Sequence, residues 1–235
     1  MPSGPSRAPV VLSIGGSVLI RGEGDGPYLD KLAGILRRLG RSMPLVVTTG
    51  GGRTAREYIR LGRSLGLTEF ELDEVGIDVT RLHARLLAGR IGPPTPSRIP
   101  TSVSEAVHEL HRASPIILGG TEPGHTTDGV AALLAVRLRA ARVVNATDVA
   151  GVFDRDPRRA PTAKRFDRLT WKEFARLIHA GATGEAGQQF LFDRLGADAL
   201  LRAKIPLRVV HGRDLENLER AVRGRSFVGT AVEPT

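Results

Sequence analysis

The residues best equipped for chemistry lie between Pro115 and Leu138, in the stretch PIILGGTEPGHTTDGVAALLAVRL. Ile116 to Leu118 read as a short buried strand, Gly119-Gly120 as a turn, and the segment after Asp128 as a helix. The loop between them holds His125, the hydroxyls of Thr121, Thr126 and Thr127, the acids Glu122 and Asp128, and a further glycine, Gly124. Thr126 or Thr127 suits the N-cap, which places Asp128 in the first turn. Val130, Ala131, Leu133, Leu134, Val136 and Leu138 spread apolar surface over most faces, so the helix is expected to be buried. In an open α/β sheet, ligands bind beyond the carboxyl ends of strands, where this loop must sit. Taken alone, the loop fits equally an ordinary turn whose Thr-Thr-Asp cluster only caps a helix.

Two other stretches repeat the device. Pro9 to Ile14 is a β-branched apolar strand followed at once by Gly15-Gly16-Ser17. Leu45 to Thr49 is a second strand, and it runs into Gly50-Gly51-Gly52 and a helix from Arg53 to Leu65 with Ala55, Tyr58 and Ile59 on one side. A tight turn accounts for one glycine; three in a row predict a backbone that approaches a ligand and aims its N–H groups at an anion. Arg56, one turn into the helix, can reach the same anion. In a parallel sheet the three glycine bends share one edge, so their donors converge on a row of phosphates. The GxxxxGK[ST] loop and the GxGxxG fingerprint do not occur.

The remaining elements must hold these bends in place. Leu29 to Leu39 has helical spacing and is expected to end at Gly40. Glu71 to Leu87 reads as a long helix with Leu72, Val75, Gly76, Val79, Leu82 and Leu86 on its apolar side, Gly76 marking close packing, and Asp73 near its start. The proline-rich segment Ile91 to Pro100 suggests a short extended piece. Ser102 to His111 suggests a capped helix, on which His108 and His111 lack a third partner for a metal. Arg142 to Ala146 is a strand ending in Thr147-Asp148, and Asp154 to Lys164 has the composition of a surface loop. Thr170 caps a helix to Ala180, Gly181 to Gly187 reads as a hinge, and a helix covers Gln188 to Ala203. Pro206 to Val210, Leu215 to Val222 and Phe227 to Val232 complete the alternation. Strands alternating with helices predict an α/β three-layer αβα sandwich around a mostly parallel open sheet. Residues 1–8 read as a loose tail, and 9–235 as one domain of two lobes, 9–113 and 114–235.

Composition narrows the class. The 235 residues are 41% hydrophobic and 4% aromatic, which requires an aliphatic core. Cysteine is absent, so disulfides, thiolate metal sites and cysteine nucleophiles are excluded. No apolar run is long enough to span a bilayer, and a cytoplasmic protein is expected. The net charge of +9 comes with only four lysines, Lys31, Lys164, Lys172 and Lys204. The arginines are spread over nearly every helix and aromatic platforms are scarce, which argues against a nucleic-acid partner.

The segments IGGSV, GGGRTAREYI, GGTEPGHTTDGVAALLA, GVFDRDPRRAPTAK and GTAVEP together resemble the archaeal-type uridylate (UMP) kinases of the amino acid kinase family. The resemblance runs from Val10 to Pro234. It implies phosphoryl transfer from ATP to UMP, with the acceptor held by the first lobe and ATP by the second. By that resemblance, Gly51, Gly52 and Arg56 hold the acceptor phosphate, Asp73 takes the ribose hydroxyls with Gly76 packed beside it, and Thr121, Thr126 and Thr127 surround the acceptor and its phosphates. Thr147, Asp148, Phe153, Asp156 and Pro157 match the ATP side. Gly15, Gly16 and Ser17 match the turn at the transferring group. Mg²⁺ accompanies ATP, keeping waters and few protein ligands, so no dedicated protein metal site is expected. Asp128 is the candidate to organise the cations at the centre. Relatives are commonly hexamers built as trimers of dimers, and the first lobe is expected to pair.

Two positions depart from the family pattern: Ser13 stands where many members carry lysine, and Ala150 where an aspartate is usual. The transition-state cation is therefore Lys164, an arginine such as Arg53, or Mg²⁺ alone. Alternative readings are another phosphotransferase of the family, such as an isopentenyl phosphate kinase, and a non-catalytic nucleotide-binding or storage relative. GGGRTAR lacks the histidine that the isopentenyl phosphate kinases carry in this loop.

Overall fold

The computed structural model describes residues 8–181 and 192–234. Seven strands form one sheet: β1 (Val10–Ile14), β2 (Leu45–Thr49), β3 (Ile116–Leu118), β4 (Arg142–Thr147), β5 (Arg168–Thr170), β6 (Leu207–His211) and β7 (Thr230–Glu233), ordered β3-β2-β1-β4-β6-β7-β5. The five strands from β3 to β6 are parallel, and β7 turns antiparallel to β6. β1, β2 and β3 are buried at every position. A parallel strand covered by helices on both faces must read this way, because neither side alternates to solvent.

The helices are α1 (Gly16–Leu19), α2 (Gly26–Ser42), α3 (Gly52–Ser64), α4 (Glu69–Ile91), α5 (Val103–Leu110), α6 (Thr127–Leu138), α7 (Trp171–Gly181), α8 (Arg194–Ala203) and α9 (Leu215–Val222). A reciprocal cap starts α4: Thr68 Oγ1 accepts from Glu71 N at 3.3 Å, and Glu71 Oε2 accepts from Thr68 N at 2.7 Å. Gly92 at φ +68° ends it. Thr126 is the N-cap of α6, accepting from Gly129 N at 3.0 Å. Thr170 caps α7 through Glu173 in the same manner as Thr68.

Several expectations need correction. Gly40 does not end α2; it lies within it, where an added Cβ would come within 2.6 Å of the Ser114 carbonyl carbon. Residues 92–102 contain no strand, since α4 runs on to Ile91. β5 was not expected, and the last strand begins at Thr230 rather than Phe227. Leu82 and Leu86 of α4 and Tyr58 of α3 are more than half exposed, and Leu133 and Val136 of α6 are partly so. The hinge expected from Gly181 to Gly187 lies outside the described residues beyond position 181, as does the start of the helix expected from Gln188. β3, which follows the lobe boundary expected at residue 113, pairs with β2, which precedes it.

Candidate active site

The carboxyl ends of β2 and β3, and the short helix α1 that follows β1, meet α4, and the glycine bends are pressed together there. Gly16 lies against the bend after β2: an added Cβ would sit 2.5 Å from Gly50 O and from the Gly51 carbonyl carbon. Gly52, at φ +59°, faces Ser17 N with similar closeness. Gly119 backs onto α4, where a Cβ would lie 2.5 Å from Thr80 Oγ1 and 2.6 Å from Arg81 N. Gly16, Gly52 and Gly119 are therefore dictated by contact of loop with loop and loop with helix. These contacts give a second reason for glycine beside the expected approach of a ligand.

A cavity of about 310 Å³ opens beside these bends. Gly51, Asp73, Gly76, Thr126 and Thr127 line it, together with Gly120 and His125. Asp73 Oδ2 accepts from Gly124 N at 2.9 Å, which ties the loop over the cavity to α4. Thr121 does not line it; its carbonyl accepts from Arg81 at 2.8 Å, and its shielded hydroxyl has no hydrogen-bond partner. Arg56 is exposed on α3 and turns back to the first bend, donating to Ser17 Oγ at 3.3 Å.

The centre is the N-terminus of α6. Ser13 Oγ donates to Asp128 Oδ1 at 2.6 Å, so the residue at the family's lysine position is hydrogen-bonded to the central acid. Thr126 Oγ1 donates to Asp193 Oδ2 at 2.7 Å, and Asp193 caps α8 by accepting from Gly196 N. Two carboxylates thus stand at adjoining helix N-termini, where the helix dipoles favour negative charge. Desolvation, with Asp193 adding to it, pushes the Asp128 carboxyl up to about 6 against the lowering effect of Ser13. These are hard oxygen donors, and no group of three metal-ligating side chains exists among the described residues. The set fits a Mg²⁺ that takes most of its ligands from phosphates and water.

The ATP-side candidates form a different structure, a loop wired by ions. Thr147 Oγ1 donates to Asp148, and Arg158 bridges Asp148 at 3.3 Å and Asp156 at 3.1 Å. The Arg158 guanidinium holds the Asp156 carboxyl below its ordinary range. Phe153 pairs with Arg165 in a single antiparallel bridge, with Pro157 half-buried nearby in sequence. Lys164 is exposed, and only its backbone is held, by Asp154. Arg53 is exposed and paired with Glu57 at 3.3 Å. Neither side chain lines the cavity.

Sequence reasoning missed Thr80, Arg81, His83 and Asp193, and it assigned no role to His125. A polar residue on the buried face of a helix was the available signal for Thr80 and His83, which are 7% and 2% exposed. His83 Nδ1 lies 2.8 Å from Gly50 O. A carbonyl can only accept, so that nitrogen carries the proton.

The sequence profile of the amino acid kinase family matches residues 8–211. The uridylate kinase of Thermoplasma volcanium is 41% identical over 95% of this chain and 97% of its own. That of Methanothermobacter thermautotrophicus is 38% identical over 96% and 99%. The crystal structure of uridylate kinase from Archaeoglobus fulgidus superposes with a TM-score of 0.85 at 36% identity, covering 95% of this chain and 99% of that one. With the profile spanning most of the chain and relatives aligned almost end to end, the protein belongs to the amino acid kinase family.

Proposed function

We propose that the chain is a UMP kinase, transferring the γ-phosphoryl group of ATP to UMP to give ADP and UDP. The observation that carries this is the cavity of about 310 Å³ in which Gly51, Asp73, Thr126 and Thr127 meet beside the Gly16 bend. Its dimensions suit a mononucleotide, and the archaeal uridylate kinases align with both sides of it.

In this reading UMP lies in the cavity with its ribose toward Asp73 and Gly76 and its phosphate toward Gly51, Gly52 and Arg56. An acceptor phosphate oxygen attacks the γ-phosphorus in line as the bond to the β-phosphate oxygen breaks. That oxygen is already ionised, so no general base is required. The amides of Gly16 and Ser17 and the N-terminus of α6 donate to the equatorial oxygens, the Gly15 amide being bonded to Ala146 O at 2.9 Å. Thr121 closes the loop around the acceptor, and Thr147, Asp148, Phe153, Asp156 and Pro157 receive ATP. Asp128, with Asp193 beside it, would hold the Mg²⁺ of MgATP, which supplies charge neutralisation when bound. Arg56 touches the first bend and is the cation best placed at the transferring group; Lys164 can reach it only by movement of its loop.

We extend the proposal to assembly and location. Tyr58 and Leu61 on α3, Leu65 at its C-cap, and Leu82 and Leu86 on α4 leave exposed apolar stripes on the first lobe, which supports pairing with a second copy in a homo-oligomer, a hexamer as a trimer of dimers. No described helix is long and apolar enough to cross a membrane, and a cytoplasmic role in pyrimidine nucleotide synthesis accords with the reaction. An ADP-release assay over a panel of monophosphates tests the whole reading. UMP is expected to be the preferred acceptor. Preference for isopentenyl phosphate, or no turnover with any acceptor despite ATP binding, would overturn it.

A further inference from the structure

We propose that Thr80 is a positioning residue of the acceptor cleft, a single buried side chain on α4 that sets the bend after β3 against the bend after β2. The inference rests on the UMP kinase reading for its kinetic test, and on geometry alone for its structural one. Thr80 Oγ1 accepts from Gly120 N at 2.6 Å and donates to Ile77 O at 2.6 Å. Both capacities of the hydroxyl are thus used, one on its own helix and one on the loop. Its carbonyl accepts from Thr49 Oγ1, at the end of β2, at 2.9 Å. Its methyl faces Gly51, where an added Cβ would lie 3.4 Å from Thr80 Cγ2. One residue therefore touches β2, the bend after β2 and the bend after β3.

The neighbours on α4 extend the same grip. Arg81 donates through Nε to Gly120 O at 3.1 Å and through Nη2 to Thr121 O at 2.8 Å. The two backbone groups of Gly120 are thereby fixed from the same helix, its N–H by Thr80 and its carbonyl by Arg81. His83, one turn on, fixes Gly50 O. Burial pushes the His83 imidazole below its ordinary range, more than the Gly50 carbonyl pulls it back, so it stays neutral and donates.

The bond from Gly120 has a functional consequence. Gly120 lines the cavity and opens the loop that carries Thr126 and Thr127 to it. Without the threonine hydroxyl, the Gly120 N–H is buried and unpaired, and the loop has reason to move. Acceptor binding should suffer, whereas the ATP-side loop, which α4 does not touch through these bonds, should not.

Thr80→Val keeps the shape and removes the hydroxyl; Thr80→Ser keeps the hydroxyl and removes the methyl. The expected result for Thr80→Val is a UMP KM raised about tenfold with an unchanged ATP KM, the loss that a buried unpaired donor produces. Thr80→Ser should stay within about threefold of wild type, because small cavities cost less than unpaired donors. A parallel readout needs no turnover: amide hydrogen exchange of residues 116–127 in the unliganded protein should quicken in Thr80→Val and not in Thr80→Ser. If Thr80→Val fails to fold, Arg81→Met carries the same test through the Gly120 carbonyl, with the same split between the two KM values. The proposal is overturned if Thr80→Val leaves UMP KM and exchange unchanged, if serine is as poor as valine, or if the ATP KM rises equally. Absence of UMP turnover in the wild-type protein would instead overturn the kinase reading and leave the exchange result to judge Thr80.

Discussion

The acceptor side and the ATP side of the cleft are built by opposite means. The acceptor cavity is lined from the buried face of α4, with Thr80, Arg81 and His83 bonding to the backbone of two bends. The ATP side is a polar loop held by ion pairs, in which the exposed Arg158 joins the half-buried Asp148 to the buried Asp156. Hydrogen bonds shielded from water resist its competition; ion pairs with a solvent-exposed end are weaker and rearrange more readily. On the proposed assignment of the two sides, UMP would meet a site already formed while ATP would meet a loop that it must organise. The difference also explains why glycines crowd the first side. There, backbone packs on backbone and leaves no room for a side chain.

The strongest challenge to this contrast is to disturb the glycine contact itself. Gly16→Ala is expected to destabilise the fold by on the order of 3 kcal/mol, near the upper end for overpacking. The same variant should lose about 100-fold or more in kcat/KM, since misplaced reacting groups cost that much. Gly26→Ala, at a position with open space around it, should change neither. Thermal unfolding and steady-state rates check both variants.

Asp128→Asn tests the centre shared by the two sides, and turnover should fall about 100-fold if the charge stabilises the transition state. Its effect on stability runs the other way. Burial raises the Asp128 pKa from 3.8 to about 6, so the folded protein holds that proton more tightly than the unfolded chain. The stability tied to it is present at low pH and is lost as pH rises through that window. The neutral amide of the variant carries no such penalty, so the gain in Tm over wild type should be larger at about pH 8 than at about pH 5. A gain that shrinks with rising pH would contradict the assignment. In the wild type, kcat/KM, which reports the free enzyme, should fall as pH drops through about 6, where Asp128 takes up its proton.

The smaller effects sharpen the contrast itself. Arg56→Ala should raise the UMP KM about tenfold and leave the ATP KM alone, the loss of one charge-assisted contact to phosphate. Arg158→Ala should do the reverse and more weakly, raising the ATP KM about threefold, because the guanidinium end of both ion pairs is exposed to solvent. Measured KM values for both substrates in both variants decide this. Equal shifts in both substrates would show that the two sides are not separable.

Much of this architecture can be read from the sequence because a parallel sheet covered on both faces forces short strands rich in β-branched residues. VVLSI and LVVTT announce themselves in that way and run into glycine, RVVNA does so without one, and Thr126 and Thr170 announce the helices that they cap. β5 does not, since three residues beginning with an exposed arginine carry no period. Tyr58, Leu82 and Leu86 follow the same apolar pattern as the core, and a pattern of residue types cannot say whether a face meets the sheet or solvent. The candidate site was legible as a set of loops but not as contacts. Nothing in GGG distinguishes a bend shaped by a ligand from one shaped by Gly16, and Thr80 and His83 acquire their partners only when α4 is laid across β2 and β3.

The most direct measurement is a crystal structure of the protein with UMP and a non-hydrolysable ATP analogue. The account predicts the UMP phosphate at the amides of Gly51 and Gly52, its ribose at Asp73, and the γ-phosphate between the Gly16 bend and the N-terminus of α6. A UMP phosphate seated away from those bends, or an acceptor cavity reshaped around α4 on binding, would contradict it.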